Sequence, residues 1–329
     1  MSLLLTLLYL SEWFGTEGMS KRMFMLDGTS ALSSMFAGYI QAGVYTTMNG
    51  RYGLPGWKWV FLVDGFISIP VAFIGFYCLP DFPQNSRAPW LTKKDRQFAL
   101  ARAKKMGRVK PEALNLKQIF EVAINPKLWL FVALYVFGVI GCNAFSYFSL
   151  FLKSLGTYSV QQINIIPTAG NAVQFVTMFI YAVLSDINGN RILWVSIAAL
   201  VGIFSCLLLS IWDIPFKLLM FAFIFGSGSI SQTMVMGWFA EVYYDEPNLK
   251  TVNIALGNVF TYTFNAFLPL AIYKTKDAPH FKIGYKVSLV FYILGLIFAW
   301  IFWYVTRKHT AKRNKQLEID SKSQLDQRV

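Results

Sequence analysis

Eight apolar runs, each about as long as a membrane-spanning helix, constrain this chain more than any other feature of its sequence. A helix needs about 20 mostly apolar residues to cross the roughly 30 Å hydrocarbon core of a bilayer. The runs that meet this length cover residues 24–47, 57–80, 127–152, 162–184, 191–212, 216–238, 251–273 and 284–306. A further apolar run, residues 1–14, is too short to cross. The sequence therefore predicts an all-α integral membrane protein with eight complete spans and a partial first one.

Composition supports this fold class and argues against several others. Hydrophobic residues make up 55% of the chain and charged residues 14%, whereas soluble domains average roughly 45–50% and about 25%. The net charge of +13 is confined to segments around the apolar runs, so we expect no nucleic-acid partner. Only two histidines are present, and the three cysteines lie inside apolar runs. These residues are too few and too scattered to form a metal centre or a Ser-His-Asp catalytic triad. We therefore expect no enzyme, no metal and no cofactor.

The distribution of Lys and Arg predicts the orientation of the chain. Eleven of them fall in residues 81–127 and seven after residue 306, and cytoplasmic segments carry the excess of positive charge. Both segments are therefore expected in the cytoplasm, which agrees with the even number of spans between them. One connection disagrees, because Lys274, Lys276, Lys282 and Lys286 fall in a loop that this topology places outside.

The long basic connection divides the chain. Within it, Thr92 followed by Asp95 is a capping-box pattern, and Gly107 is a plausible stop, so we expect a surface helix of about 14 residues. The predicted organisation is an incomplete N-terminal bundle over 1–80, a basic cytoplasmic loop over 81–126, a six-helix bundle over 127–306 and a basic cytoplasmic tail over 307–329. Six spans after such a loop suit the second half of a six-plus-six transporter.

Four stretches then carry a resemblance to a known family. They are GWKWVFLVDG (56–65), FSLFLKSLGTYSVQQINIIPTAGNAVQ (148–174), SDINGNR (185–191) and WFAEVYYDEPNLK (238–250). In this order they resemble the entry to the sixth helix, the seventh-to-eighth connection, the signature after the eighth helix and the tenth-to-eleventh loop of the major facilitator superfamily. Within it, the chain is similar to the fungal anion:cation symporters, which include allantoate, pantothenate and biotin permeases.

The resemblance also numbers the spans. YLSEWFGTEGMSKR (9–22) aligns with the end of the fourth helix and the loop that follows it, which implies a major facilitator fold lacking about its first three helices. The opening MSLLLTLLYL has no basic residue before its apolar run and no small-residue cleavage site near Glu12, so it makes a poor signal peptide. We expect it to be the cytoplasmic end of a fourth helix.

Ionisable residues inside spans are costly and are functional candidates by default. Asp27 and Asp64 are the two acids within the complete predicted spans, and we interpret them as proton-coupling candidates. Alternatively, Asp64 hydrogen-bonds a neighbouring helix, and Asp27 lies in water near the cytoplasmic surface. The resemblance further implies a conformational latch formed by Asp186 and Arg191, with a related contact between Glu17 and Arg22.

Polar residues at helical spacing on several spans are the candidates for substrate contact. On the fifth helix, Gln41 belongs to a stripe that also contains Asp27, Ser30, Ser34 and Gly38. The candidate substrate-binding residues are Gln41, Asn143, Asn171, Gln174, Gln232, Asn258, Tyr262 and Asn265. The alternative is that these side chains hold membrane helices together.

The resemblance implies transport of a small organic anion, namely a carboxylate, sulfonate, amino acid or vitamin, by proton symport with alternating access. The expected partners are this anion, a proton and the lipid bilayer, in a fungal plasma membrane with the C-terminus in the cytoplasm. The alternative is a truncated, non-transporting remnant, or a nutrient-sensing partner of a complete permease. A complete permease or a separately encoded N-terminal half is a further expected partner.

Overall fold

The computed structural model describes residues 19–81, 86, 88–105, 116–229, 232–243, 247–278 and 280–326, and within these ranges the regular structure is helical, without strands. We number the α-helices α1 to α13 in chain order. They are α1 Met19–Met48, α2 Gly56–Cys78, α3 Lys93–Lys105, α4 Leu116–Ile124, α5 Pro126–Ser146, α6 Phe148–Ser154, α7 Val160–Ile165, α8 Thr168–Asn188, α9 Arg191–Ile211, α10 Phe216–Gly226, α11 Gln232–Val242, α12 Pro247–Ile272 and α13 Gly284–Asp326. Short 3-10 turns cover Arg51–Gly53, Ser227–Ser229 and Thr275–Asp277.

Seven helical segments of the described chain are long and apolar enough to cross a membrane, and they match seven of the eight predicted spans. They are Gly56–Cys78, Pro126–Ser154, Val160–Ser185, Arg191–Ile211, Phe216–Phe239, Val252–Ile272 and Gly284–Arg307. The remaining prediction, 24–47, lies in α1, which is a helix of 30 residues. Its Ser, Thr and Gln side chains make α1 less apolar than the other seven. Helix α1 is therefore long enough to cross a membrane but is not among the seven segments that are also apolar enough.

Three predicted spans are broken, although each was predicted as one continuous run. One is 162–184, which is interrupted between α7, ending at Ile165, and α8, beginning at Thr168. Two further spans are broken as well. The first ends as α5 at Ser146 and resumes as α6 at Phe148. The second passes from α10 through the 3-10 turn Ser227–Ser229 before α11 begins. A Cβ atom at Gly226 would overlap the ring of Phe145, so glycine at this position allows the break in the second span to pack closely against α5.

The C-terminal helices form the packed centre of the structure. Helix α13 packs against α5 and α9, while α5 also contacts α12 and α9 contacts α10. The apolar interior has two clusters along α5. One contains Leu128, Phe131 and Phe239, and the other contains Phe151 and Phe223 with residues from the turns at the opposite end.

Helix α1 is joined to this bundle, whereas α2 is joined mainly to α1. Ala31 and Ala42 of α1 are each 2% exposed, and α1 packs against α7 and α8. A Cβ atom at Gly38 would lie 2.6 Å from Thr168 Cγ2 and 2.8 Å from the carbonyl oxygen of Asn164. The joint therefore depends on small residues that let the helix backbones approach closely.

The predicted capping box of the basic connection is confirmed. The Thr92 backbone N–H donates to Asp95 Oδ2 at 3.1 Å, and the Asp95 N–H donates to Thr92 Oγ1 at 3.3 Å. These bonds begin α3, which is described as far as Lys105. The predicted stop at Gly107 lies outside the described residues. At the other end of the chain, α13 continues as a helix past the predicted span to Asp326.

Candidate functional site

Two of the predicted substrate residues meet between spans. Asn143 Nδ2 on α5 donates to Asn265 Oδ1 on α12 at 2.6 Å, in a partly buried position. The bond uses one donor of Asn143 and the carbonyl oxygen of Asn265, which leaves the other Asn143 N–H and both Asn265 N–H groups to bind further partners. This amide pair is an uncharged donor centre within the bundle.

The same face of α12 carries two more of the predicted residues. Asn258, Tyr262 and Asn265 follow one another at four- and three-residue spacing, which places them along one side of the helix. Asn258 is half-buried and Tyr262 is 59% exposed. This side of α12 is therefore open at Tyr262 and closed by the amide pair at Asn265.

A second polar centre adjoins the amide pair, because Cys142 directly precedes Asn143. The Cys142 thiol accepts a hydrogen bond from Gln232 Nε2 at 3.7 Å and one from the Tyr292 hydroxyl at 3.2 Å. The Tyr292 hydroxyl is also 2.5 Å from Ser229 Oγ. We call the amide pair and this centre together the polar seam, defined by Cys142, Asn143, Ser229, Gln232, Asn265 and Tyr292.

Tyr292 is a member of the polar seam that was not predicted from the sequence. Its ring lies between two glycines, since a Cβ atom at Gly141 would lie 2.9 Å from it and one at Gly202 would overlap it. The side chain is 3% exposed. In sequence, Tyr292 sits in an apolar run and is typical of a core aromatic; only the pairing with distant glycines distinguishes it.

The predicted residues of α8 lie beside the helix break. A Cβ atom at Gly170 would lie 2.7 Å from Ser227 Oγ, so α8 packs directly on the 3-10 turn. The neighbouring Asn171 is half-buried, and Gln174 Nε2 is 3.9 Å from Met178 Sδ on the same helix. The structure thus places both candidates on the helix that packs against the Ser227–Ser229 turn, and neither side chain contacts the polar seam through a described hydrogen bond.

The predicted stripe of α1 divides between two environments. Gly38 belongs to the face that packs on Asn164 and Thr168. Gln41 and Ser34 are exposed, and the Ser34 hydroxyl donates to the Ser30 carbonyl at 3.0 Å. The stripe is therefore part helix joint and part open surface, and the contacts do not bring Gln41 to the polar seam.

Of the two proton-coupling candidates, Asp64 alone has a side chain within the described residues. Asp64 is exposed on α2, which packs mainly against α1. Asp27 lies in α1, but its side chain is outside the described residues. Their role in proton coupling stays a prediction.

Only part of the segment predicted to form the latch lies within the described residues. Gly189, in the left-handed conformation with φ +62°, ends α8 and donates its N–H to the Ser185 carbonyl. Arg191 Nη1 donates to the buried Ser185 hydroxyl at 2.8 Å. This Ser185 contact was not predicted. Glu17 and the side chains of Arg22 and Asp186 lie outside the described residues.

Among the described residues, no three His, Cys, Asp or Glu side chains are grouped so that they could hold a metal ion. The polar seam consists of amides, hydroxyls and a thiol. Such groups bind and orient a solute by hydrogen bonding.

Comparison with known proteins links this architecture to one family. A family model described as Major Facilitator Superfamily matches residues 2–269. A curated MFS transporter of Pestalotiopsis fici, PfmaC, is 33% identical over 232 residues, covering 70% of this chain and 44% of the relative.

Two further relatives have names that state a solute. A pantothenate transporter of Schizosaccharomyces pombe is 27% identical over 302 residues, covering 88% of this chain and 56% of the relative. A vitamin H transporter of Saccharomyces cerevisiae is 29% identical over 307 residues, covering 89% and 51%. The chain thus spans about half the length of the curated relatives it matches.

Proposed function

Because the chain belongs to the major facilitator superfamily, a family of transporters rather than enzymes, we propose that it carries a small organic anion across a membrane. The seven long apolar helices make it a multi-pass membrane protein. The proposed solute is a carboxylate, sulfonate, amino acid or vitamin. The names of the relatives, a pantothenate transporter and a vitamin H transporter, support a vitamin-like carboxylate.

The polar seam is the observation that carries this proposal. Its free amide N–H groups at Asn143 and Asn265 are donors, and a carboxylate is a strong acceptor of such hydrogen bonds. The seam contains no charged side chain, so a bound anion is held by dipoles rather than by an ion pair. It also connects α5, α12 and α13 with the break after α10, so solute binding is coupled to the packing of several helices.

Proton symport and alternating access complete the proposal. Asp64 and Asp27 are the proposed proton carriers, because a carboxyl group within a span can take up and release one proton as its surroundings change. The helix joint between α1 and α8, built on Gly38, is the proposed contact about which the N-terminal helices rock against the bundle. The turn from Ser185 to Arg191 is the proposed cytoplasmic latch, in a plasma membrane with the C-terminus inside.

One observation favours a second candidate function. Gly56 is the sole buried residue of α2, and Phe66, Phe73 and Phe76 are among its exposed side chains. A helix of this kind suits a chain that works with other membrane helices. We therefore keep as the alternative a form that does not transport alone and serves as partner of a complete permease or of a separate N-terminal half.

Uptake measurements separate these two functions. Radiolabelled pantothenate and biotin are offered to cells that lack their own uptake and express this chain alone. Uptake above background that rises at acidic external pH supports symport. Uptake that appears only when a complementary N-terminal half is co-expressed supports the alternative.

The polar seam is tested in the same cells. The double variant Asn143→Ala/Asn265→Ala is expected to raise KM about tenfold, since two donors to a charged solute are lost. Gln97→Ala, an exposed amide on the surface helix α3, is the matched control and keeps the parent KM. An unchanged KM in the double variant would rule out the polar seam as the binding site.

A further inference from the structure

The end of the bundle opposite the basic 81–126 connection is strongly positive. Three segments meet there, residues 153–159, 212–217 and 273–286. Their described residues include six exposed lysines and two exposed aspartates, Asp213 and Asp277. We call the six lysines the lysine rim; they are Lys153, Lys217, Lys274, Lys276, Lys282 and Lys286.

An aromatic cluster fixes the three segments together. The ring of Trp212 lies 5.5 Å from that of Phe151 and 5.8 Å from that of Tyr285. Tyr273 and Phe281 lie 5.5 Å apart, and Tyr285 lies 5.9 Å from each of them. Leu155 and Tyr158 pack against the same cluster, which therefore joins residues from all three segments.

The lysines are positioned by this cluster through a repeated pattern. Four of them directly follow a residue of the cluster that is no more than 4% exposed. The pairs are Leu152–Lys153, Tyr273–Lys274, Phe281–Lys282 and Tyr285–Lys286. The buried residue fixes the backbone, and the next side chain is exposed. The positive charges are therefore held next to the aromatic cluster.

Membrane orientation does not account for these charges. Positive residues accumulate in cytoplasmic segments, whereas the lysine rim lies at the end opposite the basic connection and the basic tail. In the proposed topology this end is outside the cell. A different physical role is needed for six lysines at this place.

We propose that the lysine rim is an anion-collecting surface at the outer mouth of the transport path, and that it concentrates small carboxylates there. The inference rests on the proposed transport of an organic anion and adds where that anion is first attracted. Fixed charges of one sign around a low-dielectric floor raise the local concentration and the encounter rate of opposite charges. The attraction is screened over about 10 Å at 0.1 M salt, so it depends on ionic strength.

A thiol probe measures the potential at the lysine rim without any need for transport. Thr157, exposed between two of the elements that frame the rim, is replaced by cysteine in a Cys78→Ser background of the full chain. Intact cells are treated with two membrane-impermeant methanethiosulfonates, a negatively charged sulfonatoethyl form and a positively charged trimethylammonioethyl form. The rate ratio, normalised to free cysteine in solution, reports the local charge.

We expect the negative reagent to be favoured about tenfold at low salt and the preference to vanish at 0.5 M salt. Lys282→Gln/Lys286→Gln should reduce the ratio about threefold, and Asp277→Asn should raise it. Lys93→Gln/Lys94→Gln, a matched loss of two exposed charges on α3, should leave it unchanged. A ratio near one in the parent, or no reaction from outside, overturns the proposal.

Uptake kinetics test whether the collected anion is the solute. With biotin as the carboxylate and its neutral amide as the comparison, Lys282→Gln/Lys286→Gln should raise KM for biotin about threefold at low salt, with Vmax unchanged. The KM for the neutral amide, or its inhibition constant against biotin uptake, should not change. An equal change for both compounds overturns the proposal.

The remaining outcomes are also decisive. The thiol measurement is repeated on the purified chain in nanodiscs. If the negative reagent is favoured only when anionic lipid is absent, the rim binds lipid headgroups, and the proposal falls. If the parent transports no anion, the proposed function fails, and the thiol ratio still decides whether the rim collects anions. If the parent transports biotin with a salt-independent KM, the rim proposal alone fails.

Discussion

The C-terminal bundle and helix α2 are both apolar, yet they are packed in opposite ways. In the bundle, Phe131, Phe223 and Phe302 are fully buried by neighbouring helices. In α2, Phe76 is 91% exposed and Gly56 is the one buried residue. Apolar composition thus indicates that a helix belongs in the membrane but not that it packs against protein.

Helix α1 shows what does indicate packing. It is less apolar than α2 but has small residues at Ala31, Gly38 and Ala42 along the face that meets α8. Lipid tails are as apolar as leucine, so helices in a membrane associate through close fit rather than through hydrophobicity. The glycines of the chain therefore offer matched pairs of substitutions that test the contrast directly.

The largest effect is expected where a glycine faces an aromatic ring in the bundle. Gly226→Ala places a Cβ atom on the ring of Phe145 and should cost about 1–3 kcal/mol, as overpacking usually does. The loss of stability is measured as a lower thermal midpoint of the purified chain in detergent, with unfolding monitored by size-exclusion chromatography.

Gly75→Ala in α2 is the control for this substitution, because no atom lies within 4 Å of a Cβ atom there. Its midpoint should equal or exceed that of the parent, since alanine favours helix over glycine. Equal losses in the two variants would show that the bundle and α2 are packed alike.

The joint between α1 and α8 should be weakened by Gly38→Leu, whose side chain would collide with Thr168 and with the Asn164 backbone. The bundle itself should stay folded. With a protease site inserted in the 106–115 segment, cleavage separates a fragment that carries α1, α2 and α3, and its co-purification with the tagged bundle should fall about tenfold.

Gly43→Leu on the same helix has no atom within 4 Å of its Cβ atom and should keep the fragment bound. Loss of the fragment in this variant too would mean that α1 tolerates no bulk on any face. The contrast between a packed face and an open face of α1 would then be wrong.

A smaller effect distinguishes a binding role of the polar seam from a purely structural one. Tyr292→Phe removes the hydroxyl that contacts Cys142 and Ser229, and Tyr273→Phe removes one that is 2.7 Å from Ser288 Oγ. Each should cost about 1 kcal/mol of stability, the usual worth of a hydrogen bond.

Solute uptake should respond to only one of these changes. Tyr292→Phe is expected to raise KM several-fold because Gln232 loses the fixed position of its thiol partner, while Tyr273→Phe keeps the parent KM. Parallel changes in both variants would assign the polar seam to packing alone.

The smallest effect concerns the surface helix α3. The hydroxyl and backbone N–H of Thr92 hydrogen-bond the Asp95 carboxylate and hold its pKa below its ordinary value. The stabilisation of α3 is therefore present above the ordinary pKa of an aspartate and is lost as the pH falls through the lowered pKa.

Hydrogen exchange of the amides in residues 93–98 should accelerate in that acidic range and, at neutral pH, in Asp95→Ala. Thr92→Ser keeps the hydroxyl and should keep the protection. Exchange that is independent of both pH and Asp95 would show that the cap does not hold the helix.

Local patterns in the sequence were enough to predict local structure. The Thr92–Asp95 cap and seven of the spans followed from composition over short windows. The joint at Gly38 and the position of Tyr292 did not, because each depends on a partner on another helix. Asn143 and Asn265 were both predicted as site residues, yet they are 122 residues apart, and nothing in either run predicts their bond. The close approach of Gly226 to the ring of Phe145 likewise joins two different helices.

Helix α13 has a mechanical consequence. Its 43 residues correspond to roughly 64 Å of rigid rod, of which roughly 28 Å lies beyond Arg307. Since the rod is clamped along its first half between α5 and α9, a tilt of about 10° would displace its free tip by about 5 Å. A fluorophore near Asp326 would thus move by several times the displacement within the bundle, which makes small rotations of the bundle measurable by resonance energy transfer.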